Sequence, residues 1–170
     1  MCSEILPDGR YGIVLSHGKT VRWLSREDVT RHCQTVVEAT IRAEHDAAIF
    51  KQLHHKVGMT PELAGEVLVR VRDRRTRLDA QALQPLGLEP GVTIEGKPFL
   101  VLSVGGVKVG QWYPADARNH ALACLELAAA VEADNRYRDV LVEDLDLEDR
   151  AYAMVGSLAD ELVFYTVVPR

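Results

Sequence analysis

Hydrophobic residues at the start of the chain form short runs that are separated by turn-forming residues. The apolar segment Ile5-Leu6 leads to a turn at Asp8-Gly9, and a second apolar run follows at residues 12–16. Another glycine turn at His17-Gly18 precedes a third run that ends at Trp23. Because glycine adopts the positive φ that tight hairpins need, this order predicts a three-stranded antiparallel meander.

Two helices are predicted after this meander. Ser25 suits the N-cap of the first helix, and acidic residues follow it in the first turn. At 100° per residue, five apolar positions fall within about 60° of one another, which predicts an amphipathic helix of roughly 25 residues: Val29, Val36, Ala43, Ala47 and Phe50. The second helix begins at Thr60-Pro61, a capping residue followed by a proline that suits the first turn. The predicted unit is therefore βββαα.

The same succession of patterns returns in the second half of the chain. The stretch EGKPFLVLS at 95–103 repeats DGRYGIVLS at 8–16, and the tryptophan that ends the meander returns after a hairpin two residues longer. The segment HALACLELAAAVEAD at 120–134 then lies over HCQTVVEATIRAEHD at 32–46. Matched blocks in one order, with offsets of 87 to 89 residues, predict an internal duplication.

We therefore predict an α+β fold in which a βββαα unit occurs twice. Residues 1–79 form the first copy, 80–91 a linker and 92–170 the second copy. Two copies are too few for a solenoid, so we expect a pseudo-two-fold pair, with each meander covered by the helices of its own copy. The apolar run LVFYTVV at 162–168 predicts an extra C-terminal strand. Exposed meander edges favour a homodimer joined sheet to sheet.

Composition and charge narrow the classes of partner. The chain has 170 residues, of which 47% are hydrophobic and 26% charged, as in ordinary soluble globular proteins. Its net charge of -5 argues against sequence-independent affinity for nucleic acid. Residues 1–88 carry 13 Lys/Arg against 11 Asp/Glu, whereas residues 89–170 carry 7 against 14. This asymmetry indicates that the halves attract each other, or that the second half faces a basic partner.

Cysteine usage and hydropathy predict a cytoplasmic protein without a membrane partner. The three cysteines have no CxxC spacing, which speaks against a disulfide framework and against a structural zinc site. No apolar run approaches 18 residues, and the N-terminus lacks the basic start and apolar core of a secretory signal. No cofactor is predicted, because no phosphate-binding or nucleotide-binding motif is present in the sequence.

A pattern of one histidine and three acids occurs at the same intervals in both copies. Helix geometry prevents a metal site within one copy. Glu38 is rotated by about 240° around the helix axis from His32, and Asp46 lies about 21 Å from His32 along the axis. If the two long helices cross antiparallel, His32 meets Asp134 and Asp46 meets His120 in reciprocal pairs. The alternative is that these residues are ordinary solvated positions at the edge of the helices.

A basic segment at residues 69–77, VRVRDRRTR, has no counterpart in the second copy. Arginine binds phosphates or carboxylates bidentately, so the segment is a candidate for partner binding through Arg70, Arg72, Arg74, Arg75 and Arg77. The partner is an acidic protein surface, nucleic acid or the chain's own acidic run at 143–149. Nucleic acid is the less favoured partner, because few aromatic residues that stack on bases lie nearby.

No catalytic residue is predicted. Ser16 and Ser103 recur at strand ends without a GxSxG elbow, and Cys33 and Cys124 fall on the apolar helix stripe. The sequence favours a non-catalytic protein that binds macromolecules, as a regulator, adaptor or inhibitor acting through protein–protein contacts. One alternative is a nucleic-acid-associated protein that uses the basic segment. Another is a small-ligand-binding protein or enzyme with a site between the copies, built from His32, Asp46, His120 and Asp134.

Overall fold

The computed structural model describes residues 2–6, 9–17, 20–74, 86–145 and 147. Within these residues the fold is α+β, with two three-stranded antiparallel sheets and three α-helices. The elements are, in order, β1 (Cys2–Ile5), β2 (Tyr11–His17), β3 (Thr20–Leu24), α1 (Arg26–Lys51), α2 (Pro61–Asp73), β4 (Leu86–Val92), β5 (Pro98–Val104), β6 (Val107–Trp112) and α3 (Pro114–Asp139). A π-helical turn continues α1 over Gln52–Lys56 and α3 over Val140–Asp144.

The first sheet has the strand order β1-β2-β3, as the sequence predicts. Ile5 lies opposite Tyr11, and the turn between them is closed at Gly9, which has a φ of 78°. The ring of Trp23 lies over Gly12, where a Cβ atom would come within 3.0 Å of the indole. Glycine at this position therefore lets the tryptophan lie flat on the sheet, with 45% of its surface exposed.

The second sheet has the equivalent order β4-β5-β6. Val92 lies opposite Pro98, and Gly96 has a φ of 76° in the turn between them. The strand β4 begins at Leu86, inside the segment 80–91 where the sequence predicts a linker. The glycine and proline content of that segment is typical of a linker, but Pro90 is tolerated because β4 is an edge strand.

The two sheets differ by a β-bulge and have hairpin loops of the same length. In the second sheet the pairing shifts register between Leu102 and Ser103, which leaves one extra residue on β6. The prediction of a hairpin two residues longer is therefore wrong, because the additional length lies within the strand. As a consequence, Trp112 lies opposite Leu100 and corresponds in register to Leu24, and not to Trp23.

The long helices confirm the predicted starts. Ser25 and Asp28 cap α1 reciprocally: the Asp28 N–H donates to Ser25 Oγ at 3.1 Å, and the Ser25 N–H donates to Asp28 Oδ2 at 3.2 Å. α3 begins at Pro114, and each long helix contains 26 residues. Thr60 accepts a hydrogen bond from the Leu63 N–H and caps α2. The predicted strand at 162–168, and most of the chain that the second helix of the second copy would occupy after residue 145, lie outside the described residues.

The chain forms two compact units whose borders fall inside α1 and α3. The first unit comprises Met1–Thr30 and Leu122–Arg170, and so contains the sheet β1–β3 and most of α3. The second unit, Arg31–Ala121, contains most of α1, α2 and the sheet β4–β6. The sequence predicts each meander on the helices of its own copy, but in each unit the sheet is grouped with most of the other half's long helix.

Direct contacts hold each sheet to that helix. In the first unit the Tyr11 N–H donates to Asn135 Oδ1 at 2.7 Å, and Asn135 Nδ2 donates to the Tyr11 carbonyl at 2.9 Å. In the second unit Phe50 lies beside Gly96, where an added Cβ would be 3.3 Å from the ring. Phe50 also anchors the buried cluster of that unit, which includes Ala64, Leu68 and the partly buried Val92.

No helix among the described residues is both long enough and apolar enough to cross a membrane.

Candidate functional site

The most unusual arrangement of polar side chains is a contact between two histidines in the second unit. His32 of α1 is only 3% exposed, and its Nε2 atom lies 2.9 Å from Nε2 of His120 on α3. The next residue of each helix continues the contact, because the thiol of Cys33 donates to the carbonyl of Ala121 at 3.3 Å. Each contact joins residues that are 88 positions apart, which is the offset of the predicted repeat in this region.

Burial keeps both rings neutral at neutral pH. Loss of solvent, together with a smaller effect of the neighbouring His120, lowers the pKa of His32 to about 4. Burial is also the main cause that lowers the pKa of His120. The rings are nearly perpendicular, at 86°, and the indole of Trp112 lies 4.6 Å from the His120 ring between centroids. One imidazole therefore donates an N–H to the other, which accepts it on a free nitrogen lone pair.

The aspartates have different roles from the predicted ones. The sequence predicts that His32 meets Asp134 and that Asp46 meets His120, whereas the structure brings His32 to His120. Asp46 is completely buried and accepts a hydrogen bond of 2.5 Å from Nε of Arg72. Asp134 is also buried, and this burial raises its pKa. The physical reason is that α1 and α3 contact each other at His32 and His120, so the side chain nearest to each histidine is the other histidine.

The repeated glutamates form ion pairs on the surface. In the second unit Arg118 binds Glu44 with two hydrogen bonds, of 2.9 and 2.5 Å. In the first unit Glu132, the corresponding residue, pairs with Arg26 and Arg136. Exposed pairs of this kind contribute about 0 to 1 kcal/mol each, so these glutamates add little to the stability of the fold.

The arginines of the basic segment lie on different sides of α2. Arg72 is engaged with Asp46, whereas Arg70 and Arg74 are exposed at the end of α2. Residues four apart share one side of a helix, and a residue two positions from each lies on the opposite side. This geometry explains why Arg72 is separated from its neighbours. Arg75 and Arg77, the remaining predicted contact residues, lie outside the described residues.

α3 also carries a second metal-ligand type one turn beyond its histidine. Cys124 is buried, and its Sγ lies within 4.8 Å of a ring nitrogen of His120. The sequence prediction missed this grouping because it paired each histidine with an aspartate and placed Cys124 on the apolar stripe of its helix. The signal that points to it is the His120-x3-Cys124 spacing, which places both side chains on one side of a helix.

No protein-family model, no curated protein and no solved structure matches this chain at a significant level. Its function has to be inferred from its own geometry.

Proposed function

We propose that the chain is a non-catalytic protein-binding protein, a regulator, adaptor or inhibitor, that contacts an acidic surface of another protein. The contact surface in this proposal is the exposed end of α2, formed by Val69, Arg70 and Arg74 and called the α2 surface below. The observation that carries the proposal is the bond between Arg72 and the buried carboxylate of Asp46, because it fixes the helix end that presents these residues.

The Arg72–Asp46 bond supports a rigid surface. A carboxylate without any solvent exposure needs its cation, and removal of either partner leaves a buried charge that is costly. The last turn of α2 is therefore held in place before any partner arrives. A partner that binds a pre-ordered surface loses less conformational entropy on association than one that binds a mobile segment.

The chemistry of the α2 surface favours a protein over nucleic acid. Guanidinium groups bind carboxylates bidentately, and the 55% exposed side chain of Val69, next to Arg70, adds apolar area. Arginine beside apolar groups is typical of protein–protein interfaces. The same helix exposes three acidic side chains that would repel a phosphate backbone: Glu62, Glu66 and Asp73. A nucleic-acid-associated protein remains the alternative proposal for the basic segment.

Charge reversal of the α2 surface tests the proposal. The double variant Arg70→Glu/Arg74→Glu is compared with Lys56→Glu/Lys108→Glu, which makes the same charge change at two other exposed positions. In affinity purification from the native cells after nuclease treatment, we expect the wild type and the lysine variant to retain one and the same acidic protein. The arginine variant should lose it. Equal retention by all three chains, or a partner that nuclease removes, contradicts the proposal.

We also propose that the chain arose by internal duplication and has a pseudo-two-fold arrangement. The strand pairs Ile5–Tyr11 and Val92–Pro98 support this, since they differ by a constant offset of 87 residues. The π-helical turns support it as well: the Met59 N–H donates to the Leu53 carbonyl at 3.1 Å, and Leu147 to Leu141 at 2.9 Å. The C-terminal strand at 162–168 belongs to the same proposal.

The same proposal includes a cytoplasmic location and a homodimer. The three cysteines lie outside disulfides, which favours the cytoplasm, where cysteines stay reduced. The edge strand β6 exposes Val107 and Val109, which favours a homodimer joined along this edge. Sedimentation of the wild type and of Val109→Lys tests the homodimer, since a lysine on a strand edge opposes pairing. A wild type that sediments as a monomer at micromolar concentration contradicts it.

A small-ligand-binding protein or enzyme is the second candidate function, and one observation favours it. The contact between His32 and His120 brings two imidazole rings together in a partly buried place. Replacement of both histidines by glutamine should then abolish the affinity for a ligand while the circular dichroism spectrum stays unchanged. Ligand binding that survives this double replacement contradicts the candidate.

A further inference from the structure

The histidine contact has the features of a metal-binding pair. The two Nε2 atoms converge to 2.9 Å, and both belong to buried or half-buried rings. Imidazole nitrogens are among the commonest metal ligands in proteins. A simple hydrogen bond also explains 2.9 Å, so the distances that a metal requires decide how well the site fits.

The nitrogen separation suits one ion bound to both rings. An ion about 2.05 Å from each nitrogen, the usual Zn–N distance, would subtend about 90° at a separation of 2.9 Å. A tetrahedral angle needs the nitrogens about 3.3 Å apart, which a small rotation of either side chain provides. The Nε2 edges of the two perpendicular rings face each other, and the ring that donates its N–H would carry that proton on Nδ1 when the ion is bound.

The helix that carries His120 offers a thiolate to the same ion. Cys124 follows one turn later, and its Sγ lies within 4.8 Å of the His120 nitrogen. Zinc binds nitrogen and sulfur ligands, whereas calcium and magnesium require oxygen ligands. The cluster of two histidines and one cysteine therefore suits zinc better than calcium or magnesium. The burial of the thiol excludes bulk water from that side of the site.

We propose that His32 and His120 bind a divalent transition-metal ion, with zinc as the best fit and Cys124 of α3 as its thiolate. The site is independent of the α2 surface, so either proposal can fail without the other. Since one histidine comes from α1 and the other from α3, the bound ion would fasten the two helices within the second unit. Metal binding should therefore also raise the melting temperature.

Cobalt and zinc titrations of the metal-free full chain test this site. We expect one Co²⁺ per chain, with thiolate-to-cobalt absorption in the near ultraviolet, and competition by ZnCl₂. His32→Gln and His120→Gln should each weaken binding at least about 100-fold, since each removes a direct ligand. His45→Gln, which alters an exposed histidine of α1, is the matched control and should leave the affinity unchanged. Cys124→Ser should remove the thiolate absorption.

Several results overturn the proposal. One is the absence of Co²⁺ and Zn²⁺ binding up to about 1 mM of the metal. Another is binding that persists in the His32 and His120 variants and disappears when His54 and His55 are replaced. A spectrum that is unchanged in Cys124→Ser overturns the role of the thiolate. If the variants fail to fold, the wild type alone decides: ZnCl₂ must move the imidazole ¹⁵N signals of His32 and His120, and unmoved signals overturn the proposal.

Discussion

The helices α1 and α3 share their length, their π-helical ending and a buried aspartate at corresponding positions, but the two aspartates have different surroundings. Asp46 of α1 accepts a hydrogen bond from Arg72, so its charge is neutralised. Asp134 of α3 has its pKa raised by burial. The difference teaches that the same residue at the same helical position stabilises or destabilises the fold according to the partner that surrounds it.

The contacts between sheet and helix show a second difference of the same kind. Asn135 satisfies both backbone groups of Tyr11 in the first unit. The residues that correspond to them by the repeat offsets are Pro98, which has no N–H, and the buried Ala47. Where the backbone donor is missing, the helix carries a small apolar residue in place of the amide. The two halves therefore differ at both members of this residue pair.

The largest effect is expected from Arg72→Met. This change leaves the buried carboxylate of Asp46 without its arginine, and we expect the free energy of unfolding to fall by about 3 kcal/mol. Urea unfolding followed by circular dichroism measures it. Arg70→Met, on the exposed side of the same helix, is the control and should stay within about 0.5 kcal/mol of the wild type. Equal effects of the two substitutions would contradict the role of the buried pair.

Acid should destabilise the histidine contact. The pKa of His32 in the folded protein is about 4, below its ordinary value of 6.5, so the unfolded chain binds this proton first. The contribution of His32 to the free energy of unfolding is therefore fully present above about pH 6.5. It is lost as the pH falls toward 4, which lowers the free energy of unfolding of the metal-free protein by on the order of 3 kcal/mol. The charge of His120, which faces the ring, adds to this trend.

Comparison of the wild type with His32→Gln isolates that contribution. Urea unfolding at several pH values between 4 and 7.5 should show a steeper loss of stability in the wild type than in the variant, because only the wild type gains the proton. Parallel curves for the two proteins would show that His32 is not held neutral by burial.

The amide of Asn135 gives the next largest effect. Asn135→Ala leaves the Tyr11 N–H and carbonyl without their partner in a half-buried place, and we expect a loss of about 1 to 3 kcal/mol. Asn119→Ala changes an exposed amide on the same helix and serves as the control. Thermal unfolding of both variants decides. A tolerated Asn135→Ala would mean that the sheet β1–β3 does not depend on α3.

The smallest effect, of opposite sign, is expected at Asp134. A raised pKa means that the unfolded chain loses its proton first as the pH rises above 3.8, so stability falls across that range. Asp134→Asn cannot ionise and should raise stability at neutral pH by at most about 1 kcal/mol. Asp46→Asn should lower it. If both substitutions change the free energy of unfolding in the same direction, the contrast between the two positions is wrong.

The sequence predicts much of this fold because its strongest signals are local. Turn glycines such as Gly9 and Gly96, the cap at Ser25 and the apolar stripe of α1 depend on neighbouring residues only. The start of β4 was not predicted because Pro90 is also typical of a linker. The bulge in β6 escaped prediction as well, since an extra residue in a strand resembles a longer loop.

The candidate site depends on long-range contacts, and these were predicted less well. The repeated spacing of His32 and His120 indicates that the two helices are related, but it does not say which residues face each other. His120 and Asp134 are 14 residues apart on α3, so the point at which the helices approach each other decides whether His32 meets the histidine or the aspartate. The partner of Asp46 comes from α2, whose basic residues predict a surface contact and give no sign that Arg72 turns inward.

A crystal structure of the full chain tests most directly whether one framework is used twice, with each sheet held by the other half's long helix. We predict that the Asn135 amide is hydrogen-bonded to the backbone of Tyr11, and that Phe50 lies against Gly96. A structure in which the sheet β1–β3 packs on residues 31–51 instead, with Asn135 in solvent, would contradict this claim.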